Sequence, residues 1–273
     1  MKAWPAPAKL NLFLHITGRR TDGYHELQTL FQFLDWGDEI LFEPRRDGAI
    51  KRAQIGHIPE ASDLSVRAAH ALREHTGCKL GCDIHLEKRI PLGGGLGGGS
   101  SDAATALVAL NQLWNLDLPG AELAALGLKL GADVPVFVHG QAAWAEGIGD
   151  VLTPVAPPEP WYLVVTPDCA VESKAMYAET RLPRATPRVA WADYLAGRCH
   201  NDFTDVVRRR YAPVALALDW AAQFGKARLS GSGASVFVDF GQKDAAERAQ
   251  SRLPPGWRSV VARGCNRSPL RIG

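Results

Sequence analysis

The chain has 273 residues, of which 46% are hydrophobic and 22% charged, and its formal net charge is +2. This length allows one large or two small domains with a substantial core, and no apolar run reaches the roughly 18 residues that a membrane span needs. The near-neutral charge argues against a nucleic-acid-binding or membrane-surface protein. The first five residues lack the apolar segment of a signal peptide, so we expect a cytoplasmic protein.

The five cysteines are scattered and odd in number. In a cytoplasmic chain this pattern indicates buried free thiols rather than disulfides. Cys78 and Cys82 are four residues apart, but no second pair of ligands follows them. We therefore expect no zinc site.

Alternating apolar residues predict a first strand over residues 8–16, which places Lys9 and Asn11 on one face. That face either meets solvent or carries a site. An Asp-Gly turn follows, and a loop after it is expected to present Tyr24 and His25 outward. Two further strands are predicted over residues 27–33 and 38–42.

A helix capped by Ser62 is predicted through about residue 75, then a strand over residues 78–86. Further helices are expected up to about residue 114 and from about residue 119 to residue 131. Asp133 lies between the glycine that ends the second of these and an apolar run that contains a proline. The local sequence alone favours a helix-capping or turn aspartate at this position.

A glycine-rich loop precedes the first of those two helices and holds six glycines in seven positions. Glycine loses more backbone entropy on folding than any other residue, so such a run indicates a ligand that needs bare backbone close by. The N–H groups and dipole at a helix N-terminus favour an anion, and a nucleotide phosphate is the natural choice. The candidate residues are Pro91, Leu92, Gly93, Gly94, Gly95, Leu96, Gly97, Gly98, Gly99, Ser100 and Ser101.

Several interpretations of this loop compete. A P-loop is excluded because no lysine precedes Ser100, and the dinucleotide pattern G-x-G-x-x-G is weak because no second strand with a terminal acid follows. A flexible linker is disfavoured because the loop runs straight into an alanine-rich helix. The remaining interpretation is a different phosphate loop, in which Ser100 or Ser101 offers a hydroxyl to a phosphate or to Mg²⁺.

Four prolines between residues 154 and 160 mark the best domain boundary, which predicts domains 1–153 and 154–273. The second part shows strands and helices in the order β, α, β, β, α, β, which is typical of an α+β sandwich. Its expected elements include a helix over residues 171–180 with Tyr177, a helix capped near Asn201 and a second glycine-rich turn at residues 230–233.

Four motifs occur in order along the chain: Pro-Ala-Lys-Leu-Asn-Leu at residues 7–12, Gly-Tyr-His-Glu-Leu at 23–27, the glycine-rich loop, and Gly-Ala-Asp-Val-Pro at 131–135. Together with Leu-Ser-Gly-Ser-Gly-Ala at 229–234, they make the chain resemble the GHMP kinases, and among these the kinases of a cytidine-diphosphate-linked methylerythritol. The resemblance implies a two-domain α+β fold, with a ribosomal-protein-like N-terminal domain and a ferredoxin-like C-terminal sandwich. It also implies ATP and Mg²⁺ as cofactors, a small-molecule substrate, no nucleic-acid or membrane partner, and a monomer or weak homodimer.

The resemblance also implies roles for individual residues. Asp133 and Lys9 form the catalytic pair, with Asn11 near the substrate, and the glycine-rich loop binds ATP. Tyr24 and His25 bind the cytosine and Tyr177 stacks on it. No protein residue is assigned as a metal ligand.

The residue types suit phosphoryl transfer to an alcohol. An aspartate can accept or orient the hydroxyl proton, and a lysine can stabilise the charge on the transferred group. Two other functions remain open: a GHMP kinase of another alcohol, such as homoserine or mevalonate, and a non-enzymatic RNA-binding module.

Overall fold

The computed structural model describes residues 2–53 and 59–270. The strands are β1 (Trp4–Arg19), β2 (His25–Arg45), β3 (Ile50–Arg52), β4 (Gly81–Glu87), β5 (Ala143–Glu146), β6 (Val151–Pro154), β7 (Trp161–Thr166), β8 (Arg228–Leu229), β9 (Val236–Phe240) and β10 (Arg258–Cys265). The α-helices are α1 (Leu64–Thr76), α2 (Gly98–Leu113), α3 (Gly120–Leu128), α4 (Val134–His139), α5 (Ser173–Tyr177), α6 (Trp191–Leu195), α7 (Thr204–Arg210), α8 (Ala212–Ala221) and α9 (Lys243–Gln250).

The strands join into one sheet in the order β3-β4-β2-β10-β7-β9-β8, and β1 and the β5–β6 hairpin also pair with β2. The β10 strand connects the two parts of the chain, because Gly264 pairs with Leu34 on one side while Val260 pairs with Val164 on the other. The predicted α+β class is therefore confirmed.

The β1 strand contributes to three hydrophobic cores. Its start packs with α1 to α4 through Trp4, and its middle packs with β7 through Leu10. Its end packs with α7 and α8 through Ile16. Lys9 and Asn11 lie in the middle of this strand, and each is only 3% exposed. Their shared face is therefore an interior surface and not a solvated one.

The α2 helix follows the glycine-rich loop as predicted. Its residues from Ser101 to Leu110 are all buried. Apart from Ser101, Asp102 and Thr105, this stretch consists of small or apolar side chains, which suits an interior position, and the helix packs against α1, α4 and β1. This packing fixes the helix N-terminus, and with it the end of the loop.

The structure differs from the predictions at some element boundaries. The predicted break after residue 33 does not exist, because β2 continues through Gly37 to Arg45. The α1 helix is capped by Asp63 and not by Ser62, since the Asp63 carboxylate accepts the Ser65 N–H at 2.8 Å. The helix after Asn201 is divided into α7 and α8 by Pro213, which begins a new helix at its first turn.

Candidate active site

The glycine-rich loop wraps the start of α2 with a backbone that most residues cannot adopt. Gly93, Gly95 and Gly97 have φ values of 65°, 73° and 73°. A Cβ on Gly95 would lie 2.2 Å from the carbonyl oxygen of Ser230, so the loop and the second glycine-rich turn are in direct backbone contact. No side chain caps α2, because its N-cap is Gly97. The first N–H groups of the helix are therefore available to an anion.

Lys9 and Asp133 meet at the inner end of this loop. The Lys9 ammonium is 3.2 Å from the Asp133 carboxylate, with side-chain exposures of 4% and 33%. Lys9 also donates to the Asn11 side-chain oxygen and to the Gly95 carbonyl oxygen at 3.4 Å. Its backbone N–H donates to the Leu96 carbonyl at 2.9 Å, so the strand and the loop are joined at this position.

Asp133 occupies the N-cap position of α4, but its side chain makes no capping hydrogen bond. The capping role that the local sequence favours is therefore wrong for the carboxylate. Lys9 is the partner of that carboxylate instead. A half-exposed carboxylate beside a buried cation is able to accept or orient a proton from a group in the cavity.

Asn11 is held by a chain of hydrogen bonds. Its amide nitrogen donates to the Thr29 hydroxyl at 3.0 Å, and this hydroxyl donates to the Phe13 carbonyl. The Asn11 backbone N–H donates to the Ser230 hydroxyl at 3.3 Å, which in turn donates to the Gly95 carbonyl at 2.9 Å. These bonds fix the amide orientation, with its oxygen toward Lys9.

A cavity of about 460 Å³ contains most of the predicted site. Its lining includes Lys9, Asn11, Asp133, Tyr177 and every loop residue from 91 to 100. Ser101 is fully buried beside it, and within the described residues its hydroxyl has no hydrogen-bond partner. Of the two serines, Ser100 is thus the one at the cavity surface.

Of the three aromatic residues predicted for the base, Tyr177 lines this cavity, whereas Tyr24 and His25 lie outside its lining. The His25 ring stacks on the Tyr177 ring, with centroids 5.1 Å apart and an angle of 29° between the planes. Burial raises the pKa of Tyr177, and the negative charge of Asp133 adds to this effect. Tyr24 is 62% exposed, as expected for a loop that presents it outward.

A buried charge cluster behind the loop was missed by the sequence analysis. The Lys88 ammonium is 2.5 Å from the Asp38 carboxylate and 2.8 Å from that of Asp102, and both carboxylates are almost fully buried. Asp38 also accepts the backbone N–H groups of Arg89 and Ile90, at 2.5 and 2.7 Å. The cluster therefore ties the residues just before the loop to β2 and α2.

The charges in this cluster do not balance, since one cation faces two carboxylates. Burial raises the pKa of Asp102, and the nearby Asp38 raises it further while Lys88 opposes the shift. For Lys88 itself, burial lowers the pKa, but the two carboxylates outweigh it and the net direction is upward.

Within residues 2–53 and 59–270, no group of three or more His, Cys, Asp or Glu residues is placed to hold a metal ion. Magnesium usually keeps several waters and binds through one or two protein groups plus substrate phosphates. The cavity, with Asp133 and Ser100 at its surface, fits this sparse arrangement.

The same described residues contain no helix that is both long enough and apolar enough to cross a membrane.

The family model of the GHMP kinases N terminal domain matches residues 63–141, and that of the GHMP kinases C terminal domain matches residues 186–257. The chain is 53% identical to the 4-diphosphocytidyl-2-C-methyl-D-erythritol kinase of Alkalilimnicola ehrlichii, over 98% of this chain and 92% of that one. It is 51% identical to the kinase of the same name from Aromatoleum aromaticum, over 98% and 94% of the two chains. A crystal structure of 4-(cytidine 5'-diphospho)-2C-methyl-D-erythritol kinase superposes with a TM-score of 0.84 at 34% identity, covering 96% of this chain and 99% of the other.

Proposed function

Because this chain belongs to the 4-diphosphocytidyl-2-C-methyl-D-erythritol kinases, which are GHMP kinases, we propose which residues of its cleft carry out each part of that reaction. The enzyme phosphorylates the 2-hydroxyl of 4-diphosphocytidyl-2-C-methyl-D-erythritol with ATP, in the non-mevalonate pathway to isoprenoid precursors. The products are the 2-phosphate and ADP. The observation that supports our assignment most is the Lys9–Asp133 pair at 3.2 Å, in the same cavity as the glycine-rich loop.

Asp133 accepts or orients the proton of the substrate hydroxyl. The hydroxyl oxygen forms a bond to the γ-phosphorus of ATP, while the bond between that phosphorus and the oxygen that leaves with ADP breaks. Lys9 stabilises the negative charge on the transferred group, and Asn11 holds Lys9 in place. The loop from Pro91 to Ser101 binds the ATP phosphates through its backbone N–H groups. Mg²⁺ would neutralise part of the phosphate charge, with the Ser100 hydroxyl as the protein group that would contact it.

The cytidine end of the substrate is assigned to the aromatic end of the cleft. Tyr24 is exposed and free to close over the base, while Tyr177 and His25 already form a stacked pair. A ring above a base contributes about 1–3 kcal/mol. A histidine nitrogen also reads the hydrogen-bonding edge of the base, which homoserine and mevalonate lack.

Further properties of the protein belong to the same proposal. We propose that it works in the cytoplasm as a monomer or weak homodimer, with no nucleic-acid or membrane partner. We also propose that its domains are residues 1–153 and 154–273, divided at the proline-rich segment.

The test is ADP release with Mg·ATP against five conditions: 4-diphosphocytidyl-2-C-methyl-D-erythritol, homoserine, mevalonate, galactose and no acceptor. We expect turnover with the cytidyl compound alone. Asp133→Asn keeps the shape of the side chain but removes the base, so kcat should fall by about 10²–10⁴-fold. The control is Asp168→Asn, which changes an exposed aspartate outside the cavity and should keep wild-type kcat. If Asp133→Asn retains wild-type turnover, Asp133 is not the proton acceptor.

A further inference from the structure

Arg184 contacts the residue that we assign to the base edge. One guanidinium nitrogen lies 2.9 Å from Nε2 of His25. The other is 3.1 Å from the Glu179 carbonyl oxygen and 3.5 Å from that of Tyr177. The arginine is thus fixed by two backbone acceptors while it reaches the histidine. Arg184 lies outside the motifs found in the sequence.

The chemistry of arginine decides which way this hydrogen bond runs. A guanidinium carries five N–H donors and no acceptor, and it stays protonated in proteins. Nε2 of His25 must therefore accept, so it carries a lone pair and no proton. The single proton of the neutral ring then sits on Nδ1.

A charged His25 would not permit this contact, because both ring nitrogens would then be donors. The surroundings of His25 disfavour that charge. Burial lowers the pKa of His25, and the cations Arg184 and Arg19 lower it further. The His25 residue is only 9% exposed, so solvent does little to offset these effects.

The two pyrimidines differ at the atom that such a donor would read. Cytosine N3 is a bare acceptor, whereas uracil N3 carries a hydrogen and is a donor. A histidine that presents Nδ1–H suits cytosine and opposes uracil, while the other tautomer would do the reverse. In the described part of the chain, Nδ1 makes no protein hydrogen bond and remains available for a ligand.

We propose that Arg184 is a positioning residue that holds His25 in its Nδ1–H tautomer and thereby makes the site selective for cytidine over uridine substrates. This rests on the proposed role of His25 at the cytosine. A site built to hydrogen-bond a substrate group rejects an analogue that leaves its buried donor unpaired. The specificity thus depends on a residue that need not touch the substrate.

The test combines spectroscopy with kinetics on the full chain. Long-range ¹H–¹⁵N spectra of histidine-labelled protein report which ring nitrogen is protonated, and the His25 signals are assigned by their loss in His25→Gln. The kinetic readout is the ratio of kcat/KM for the cytidine-linked substrate to that for its uridine-linked analogue. Three variants are compared: Arg184→Met, which has the reach but no donor, Arg184→Lys, which keeps a donor and the charge, and Arg181→Met, an exposed control in the same segment.

We expect an Nδ1–H ring in the wild type and in Arg181→Met, and a shift toward Nε2–H in Arg184→Met. The selectivity ratio should fall about tenfold or more in Arg184→Met, with KM for ATP unchanged, and recover in part in Arg184→Lys. An Nε2–H ring in the wild type would overturn the proposal. So would equal KM increases for both substrates, because a purely structural arginine would act in that way. If the wild type fails to use the cytidine substrate, the proposed function fails, and the spectra still decide the tautomer.

Discussion

Asp102→Asn tests whether the second carboxyl group of the buried cluster behind the ATP loop is protonated in the folded chain. Asparagine keeps the shape of the side chain and leaves Lys88 paired with Asp38 alone, so the buried cluster becomes neutral. In the wild type, burial raises the pKa of Asp102 above the value of about 3.9 that an unfolded chain has. Between these two pKa values the folded chain holds one more proton than the unfolded chain.

The sign of the pH dependence follows from that extra proton. The free energy of unfolding of the wild type falls as pH rises through this window, by about 1.4 kcal/mol per pH unit from this group. Across two pH units the loss is about 3 kcal/mol. The variant lacks this dependence. It should match the wild type near pH 5 and be more stable by about 3 kcal/mol near pH 7.

The measurement is urea unfolding of both proteins at pH 5, 6, 7 and 8. The difference in free energy of unfolding between variant and wild type isolates the Asp102 carboxyl, because other titrating groups contribute to both proteins. Asp244→Asn, an exposed aspartate in the first turn of α9, is the control and should give a constant difference. A difference that stays flat or declines with pH for Asp102→Asn would mean that Asp102 is the ionised partner of Lys88, and the reasoning would be refuted.

Other substitutions probe the loop and the two ends of the cleft. Gly95→Ala places a Cβ 2.2 Å from the Ser230 carbonyl oxygen at a φ of 73°, so the thermal unfolding midpoint should drop and KM for ATP should rise. The control in both assays is Gly241→Ala, because a Cβ at Gly241 would have no neighbour within 4 Å. Equal unfolding midpoints for the two variants would contradict the prediction. Lys9→Met removes the cation and should lower kcat in the ADP assay by about 10²-fold or more, and a kcat within a few-fold of wild type would argue against its role. Tyr24→Ala should raise KM for the cytidyl substrate by about tenfold and leave that for ATP unchanged, since about 1–3 kcal/mol of stacking is lost; a matching rise for ATP would place Tyr24 in the other pocket.

Most elements could be predicted from periodicity, and the exceptions have physical causes. The predicted gap between the strands 27–33 and 38–42 contains Asp35 and Gly37, which are common in turns. In the structure Gly37 lies within β2, and a Cβ there would sit 2.2 Å from the Ala6 carbonyl. The pairing of β1 with β2 shifts register at this point, between Pro7 and Lys9. The glycine thus allows a bulge in a continuous strand, which the sequence pattern cannot distinguish from a turn.

The site was less accessible to local reasoning than the fold. The glycine-rich loop can be recognised from its composition. The pairing of Lys9 with Asp133 cannot, because it joins residues that are far apart in the chain. On local sequence alone Asp133 is a capping residue, and only the resemblance to a family suggested otherwise. Lys88 and Arg184 carry no local signal, because their importance arises from partners on other elements.

The position of β10 has a consequence for how the enzyme is made. Among the described strands this one comes last in the sequence, yet it lies between β2 and β7 in the sheet. Until it leaves the ribosome, the edges of β2 and β7 that it will cover present unpaired N–H and C=O groups. Such distant pairing slows folding and leaves the nascent chain open to aggregation. The β10 strand must therefore be synthesised before the sheet that supports the cleft can close.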